Sequence, residues 1–255
     1  CWSLVGSEMC IRDRKITELQ KDLAATFRWT ARLNMNEGVA NHFSACVPGS
    51  SGEFYVNKAG IHFSQIKASD LILVTNDNIE DLKTKPDVVD ATAISIHGTI
   101  HQKVPHAKCI FHVHSKYATA LSTLKDPTLP PIDQNTMRFY NRVSLYDEYG
   151  GMGFEEESLK MAAALGNKQN LLMANHGILT TGETISDGFD ALYYFERSAE
   201  TYLTALATGK ELNIASHEVA EKTAQEWSDY PSDNGRAHLD QIRLILDKEE
   251  PDYKN

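Results

Sequence analysis

The feature that most constrains this chain is a change of hydrophobic period, from helical to alternating and back. KITELQKDLAATFRWTARLNM (residues 15–35) carries Ile16, Leu19, Leu23, Phe27, Ala31 and Leu33 near i, i+3/i+4 spacing, so a helix is predicted from Lys15. Short strand-like runs follow: VANHFSACV, FYVNKAG, IHFSQIKASD and DLILVTND. VVDATAISIHGTIHQKV then reads as a helix, with Pro86 near its first turn and Pro105 past its end. CIFHVH reads as a strand, and Ser115 is placed to cap the helix KYATALSTL. TLPPIDQ is a stiff loop and SLYDEYGGMG a Gly-rich turn region. ESLKMAAALG is a helix ended by Gly166, and LLMANHGILTTG two short strands around His-Gly or one bent one. A long helix ending at Gly209 and two more helical stretches close the chain. Helices, several strands and helices again, with no repeat or linker, predict one α/β domain. Its central sheet should be antiparallel or mixed and covered by helices.

Composition excludes several function classes. Asp and Glu number 35 against 25 Lys and Arg, a formal charge of −10, which repels nucleic acid and anionic lipid. No apolar run approaches the roughly 20 residues of a membrane span. No GxGxxG or GxxxxGK[ST] occurs, so no nucleotide-binding motif is present. The opening CWSLVGSEMCIRDR has no signal-peptide h-region. LVGSEMCIRDR resembles a translated transposase-type sequencing adapter, common in unfinished metagenomic assemblies. Residues 1–14 are therefore read as a non-native scar and residues 15–255 as a single domain with a helical C-terminal extension. That sets aside Cys1 and Cys10 and leaves Cys46 and Cys109 as free thiols of a cytoplasmic protein.

The chemistry concentrates in histidines. In a strand, residues i and i+2 share a face, so Ile110, His112 and His114 would line one side of CIFHVH, with Cys109, Phe111 and Val113 on the other. Two imidazoles on one face can converge on a cation, which wants a third ligand from elsewhere. His176, at the end of another apolar run, is the candidate, and Gly177 after it permits a tight turn and close backbone approach. Packing or hydrogen bonding is the competing reading of any single H-x-H. His42, His62, His97, His101 and His106 compete as ligands. His97 and His101 stand at i, i+4, a zinc-compatible spacing, but a buried hydrogen-bonded His97 and a near-surface His101 explain the pair equally.

Four segments in order, NHFSACVPG, FYVNKAGIHFSQIKASDLILV, SIHGTIHQKVPHAKCIFHVHSKYATALSTL and LLMANHGILTTGETISDGFDALYYFERSAET, resemble the class II aldolase/adducin family from about Leu23 to Gly209. The resemblance implies a three-layer α/β/α fold with a mostly antiparallel sheet, and a homotetramer with active sites at subunit interfaces. It implies a divalent metal, zinc or in its place manganese, held by His112, His114 and His176, and a small-molecule substrate lined by Asn41, Ser44 and Gly60.

The sequence departs from the sugar-phosphate aldolases of the family in three places. Their acid/base Glu, four residues before the helix His, falls on Ala93, and a methyl group moves no proton. Asp90 lies a turn earlier, in a different helix register. Their phosphate-binding serine pair reads Ala91-Thr92, and the loop supplying their catalytic Tyr reads Asp133-Gln134. These departures point away from a phosphorylated aldose. Polar residues of IDQNTMRFYNR and SLYDEYGG are expected to fill the pocket, with Gln134, Arg138 (as a carboxylate clamp) and Tyr146 (as an acid) the candidate catalytic residues. A surface ion pair explains Arg138 as well, and strand packing explains Tyr146. The expected function is metal-dependent carbon–carbon lysis, an aldol cleavage or a decarboxylation through an enolate, on a small hydroxy or oxo acid or a sugar derivative. The alternative is a non-catalytic, adducin-like scaffold. Glu196, Arg197 and Glu200 read as a helix face with i, i+3/i+4 pairing, and EEPDYK as a solvated end.

Overall fold

The computed structural model describes residues 2–50, 52–230 and 233–255, so Cys1 lies outside it. The strands are β1 (His42–Cys46), β2 (Phe54–Asn57), β3 (Leu71–Val74), β4 (Cys109–Val113), β5 (Val143–Tyr146), β6 (Asn170–Met173) and β7 (Gly177–Gly182). They form one sheet in the order β3-β2-β1-β4-β7-β6-β5, antiparallel throughout except for the β5–β6 pair. Helices α1 (Trp2–Arg32), α2 (Ile79–Lys83), α3 (Ala91–Lys103), α4 (Lys116–Ser122), α5 (Gln134–Arg138), α6 (Glu155–Leu165), α7 (Ile185–Leu206), α8 (His217–Ser228) and α9 (Asn234–Glu249) cover it.

The pleat of β4 sorts its residues between two cores. Cys109, Phe111 and Val113 join Leu23 and Phe27 of α1 and Phe189, Leu192 and Phe195 of α7. Ile110 points the other way, with Ile96 and Ile100 of α3 and Met161 and Leu165 of α6. Period-2 alternation in a strand buried on both faces therefore divides two apolar layers, the three-layer α/β/α arrangement. Phe27 stacks on Phe43 at 4.7 Å between ring centroids, which anchors α1 on β1. Among the described residues no helix is long and apolar enough to cross a membrane.

Five local expectations change. The first helix runs back to Trp2, beyond the Lys15 start of the apolar pattern. IHFSQIKASD makes two 3₁₀ turns, Phe63–Gln65 and Ala68–Asp70, in place of a strand. Ser144–Tyr146, read as the start of the Gly-rich turn region, belong to an edge strand, Val143–Tyr146, parallel to β6. Ser115 occupies the N-cap of α4, but its hydroxyl makes no cap bond and donates to Glu196. Glu196 is buried, and it caps α4 from α7 by accepting from Tyr117 N and Ala118 N, both at 2.9 Å.

EEPDYK is docked against the fold. The Arg28 guanidinium, 5% exposed, donates to the Ile66 and Gln65 carbonyls, to Glu250 at 3.1 Å and to Asp252 at 3.0 Å. Arg32 pairs with Glu249 and Glu250, and Tyr253 is fully buried.

Candidate metal centre

β4 ends at Val113, and Ser115 begins the turn into α4, so His112 and His114 leave the sheet together at its rim. His176 arrives from the β6–β7 turn. That turn is built on Asn175, which adopts φ 56° and donates its N–H to Ser122 O. His176 N–H donates to Met173 O, and Ala174 N–H to Tyr146 O. Each of the three imidazoles offers a ring nitrogen, and these nitrogens all lie within 4.8 Å of one another.

Hydrogen bonds set two of the tautomers. His112 Nδ1 stands 3.0 Å from Ile178 O, a group that only accepts, so Nδ1 carries the proton and Nε2 the lone pair. His114 Nδ1 stands 2.5 Å from the Glu37 carboxylate, which frees its Nε2 in the same way. The two Nε2 atoms are 3.1 Å apart. Two lone pairs at that separation repel unless a proton or a cation lies between them. Burial, reinforced by the neighbouring His42, His114 and His176, holds His112 well below the ordinary histidine range. Burial and then His114 lower His176 to about 4. Near neutral pH His112 and His176 therefore offer lone pairs, the protonation state a metal requires. The donor set fits a divalent cation: soft-to-borderline nitrogens, two of them oriented by a second hydrogen bond.

The cluster opens into a cavity of about 380 Å³ lined also by Glu37, His42, Asp90, Thr92, Thr119 and Tyr149. Tyr149, 54% exposed, sets its ring perpendicular to His176 at 6.2 Å. Asp90 is the N-cap of α3 and accepts through Oδ1 from Thr92 N at 2.8 Å, Thr92 Oγ1 at 2.5 Å and Ala93 N at 3.3 Å. Burial alone would raise the Asp90 carboxyl, but these bonds and His42 outweigh it and lower its pKa. The Thr119 hydroxyl is buried without a partner. Ala93 is 1% exposed and packs with Phe54, Val56 and Ile94, so nothing at that position faces the cavity. Asp90 could have been found from sequence: an Asp immediately before a helical period is an N-cap signal. Nothing local marks Glu37, whereas Tyr149 belongs to SLYDEYGG, a segment expected to supply polar residues to the pocket.

The other expected site residues are placed differently. Asn41 is buried beside the cavity, its Oδ1 accepting from Glu37 N at 2.7 Å and its Nδ2 unpartnered. Gly60 makes an exposed turn at φ 74° and does not line the cavity. Ser44 sits in a buried histidine chain behind it. His101 Nδ1 is 2.7 Å from Ala107 O and must donate to it, so His101 Nε2 accepts from the Ser44 hydroxyl at 2.7 Å. Ser44 Oγ then accepts from His97 Nδ1, and His97 Nε2 accepts from His42 Nδ1 at 2.6 Å. One carbonyl thus fixes every proton along the chain. Burial lowers His42 and His101 to about 4 and holds His97 well below the ordinary histidine range.

The three candidate catalytic residues lie away from the histidines within this chain. Arg138 pairs with Asp190 and lies over the Tyr194 and Trp227 rings, on the wall of a separate cavity of about 820 Å³. Tyr146 packs in the core with Ile96, Met161 and Leu171, and burial raises its phenol. Gln134 is exposed at the start of α5. Larger volume does not make the Arg138 cavity the better candidate, because no cluster of convergent ligand atoms occurs there among the described residues.

Comparison with known proteins agrees with this architecture. An L-fuculose 1-phosphate aldolase from Glaciozyma antarctica PI12 superposes with a TM-score of 0.82 at 27% identity, over 96% of this chain and 94% of that one. An adducin-related protein of Schizosaccharomyces pombe is 31% identical over 79% of this chain and 64% of its own length. The decarboxylase NovR of Streptomyces niveus is 27% identical over 81% of this chain and 79% of its own. The family model described as the Class II Aldolase and Adducin N-terminal domain matches residues 21–203, and the chain belongs to that family.

Proposed function

We propose that this chain is a metal-dependent carbon–carbon lyase, performing aldol cleavage or decarboxylation on a small hydroxy or oxo acid or a sugar derivative. The observation that carries the reading is the pair of tautomers imposed by Ile178 O and Glu37, which turns two Nε2 lone pairs toward each other beside His176. A divalent cation, zinc or manganese, held by His112, His114 and His176 would supply a Lewis acid that stabilises the negative charge left when the carbon–carbon bond breaks. Glu37 orients His114, and the buried chain behind His42 holds that ring in one tautomer. The apolar side chains Tyr149, Met152 and Phe154, all more than half exposed on the segment flanking the cavity, suit a subunit contact in a homotetramer.

A non-catalytic scaffold is the second reading, favoured by the buried methyl at Ala93 and by the adducin-related relative. Elemental analysis separates the two. The lyase reading expects a metal-to-subunit ratio near one that chelation removes and added metal restores. A folded protein that stays near zero after metal addition supports the scaffold. Glu37→Gln is expected to weaken metal binding by roughly 10–100-fold, as loss of an orienting carboxylate does elsewhere. Competition with a chelating dye checks it, and an unchanged affinity refutes the role given to Glu37.

A further inference from the structure

The cavity beside the histidines has an unusual charge balance for a site that would receive an anionic substrate tail. Among the described residues, no Lys or Arg lines it, while Glu37 and Asp90 do. The N-terminus of α3, which would otherwise be the natural seat for a phosphate, is already filled. Asp90 takes the first free N–H groups of that helix on Oδ1 alone. Its hydrogen bonds from described residues leave Oδ2 without one. A carboxylate oxygen accepts from a hydroxyl group and repels a dianion.

Building on the metal-centre reading above, we propose that Asp90 determines substrate class. It occupies the helix-end anion seat with its own carboxylate, excludes phosphorylated substrates, and accepts a substrate hydroxyl on Oδ2. Two carboxylates against one divalent cation leave the cavity near neutral. A small hydroxy acid or an unphosphorylated polyol aldehyde then adds at most one negative charge, whereas a phosphate ester brings two more beside Asp90.

The test is calorimetric binding of glycolate and 2-phosphoglycolate to the metal-loaded protein, with the metal-to-subunit ratio read on the same preparations. The wild type is expected to prefer glycolate at least tenfold. Asp90→Asn keeps an N-cap acceptor of equal quality and removes only the charge. It is expected to shift the preference toward 2-phosphoglycolate by tenfold or more at unchanged metal content. Asp90→Ser, a second neutral cap, should shift it in the same direction. A wild type that prefers 2-phosphoglycolate, or an Asn variant with full metal and an unshifted ratio, overturns the role of Asp90 and leaves the metal centre standing. A wild type that takes up no metal overturns both.

Discussion

A Gly177→Ala variant is expected to bind a divalent cation roughly a hundredfold more weakly and to lose about 3 kcal/mol of stability, the upper range for overpacking a filled interior. A Cβ at position 177 would stand 2.5 Å from Val113 O and 3.2 Å from His114 Cδ2. The first of these is backbone of the adjoining strand β4, so no side chain can swing aside. Relief requires β7 to move off β4 at the point where His114 and His176 are brought together. His176→Ala is the informative partner. It removes one proposed ligand from a partly exposed position, so its metal content should collapse while the protein stays folded, with a thermal midpoint close to that of the metal-free parent. Equal metal content in parent and His176→Ala refutes the ligand assignment. Full metal affinity in Gly177→Ala refutes the account of the close approach.

Glu196→Ala is expected to cost about 4 kcal/mol, the sum of losing charge-assisted bonds and leaving buried donors unmet. The carboxylate is 8% exposed and accepts from Ser115 Oγ, Tyr117 N and Ala118 N. Its removal leaves the N-terminus of α4 without its cap and an interior hydroxyl without an acceptor. Ser115→Ala removes one donor and leaves the carboxylate its two backbone partners, so it should cost only about 1 kcal/mol. Urea denaturation measures both. A Glu196→Ala cost below that of Ser115→Ala would show that α4 finds another cap. The position also bears on the site, because α4 begins two residues after His114, and a frayed α4 loosens the end of β4.

What could be read in advance was what local periodicity encodes. CIFHVH alternates apolar faces in the sequence as it does in the fold, and the His-Gly of LLMANHGILTTG marked a strand break that is there. Gly177 was expected to serve both a turn and a close approach. Only the approach needs it, because Asn175 takes the left-handed turn position. Several of the failures share one cause, a partner distant in sequence. Glu196 resembles any surface helix Glu until α4, 78 residues away, is packed against it. The edge strand at Val143–Tyr146 exists because β6 supplies a parallel partner, which its own four residues do not announce. Arg138 and Tyr146 were chosen for chemistry their side chains can do, and tertiary packing gave one to Asp190 and the other to the core.

The docking of α9 and Pro251–Lys254 onto α1 has a consequence for the order of events during synthesis. The inner face of α1, with Leu23 and Phe27, and the Arg28 guanidinium find part of their surroundings only in residues made more than 200 positions later. β1 and the 3₁₀ turns that follow it can cover part of the apolar stripe of α1 soon after it is made, but the rest must wait through most of translation for its lid. Contacts this distant are slow to form and keep sticky surface open in the meantime. The nascent chain should accordingly spend its longest vulnerable interval with its first helix, and not its metal-site strands, as the exposed element.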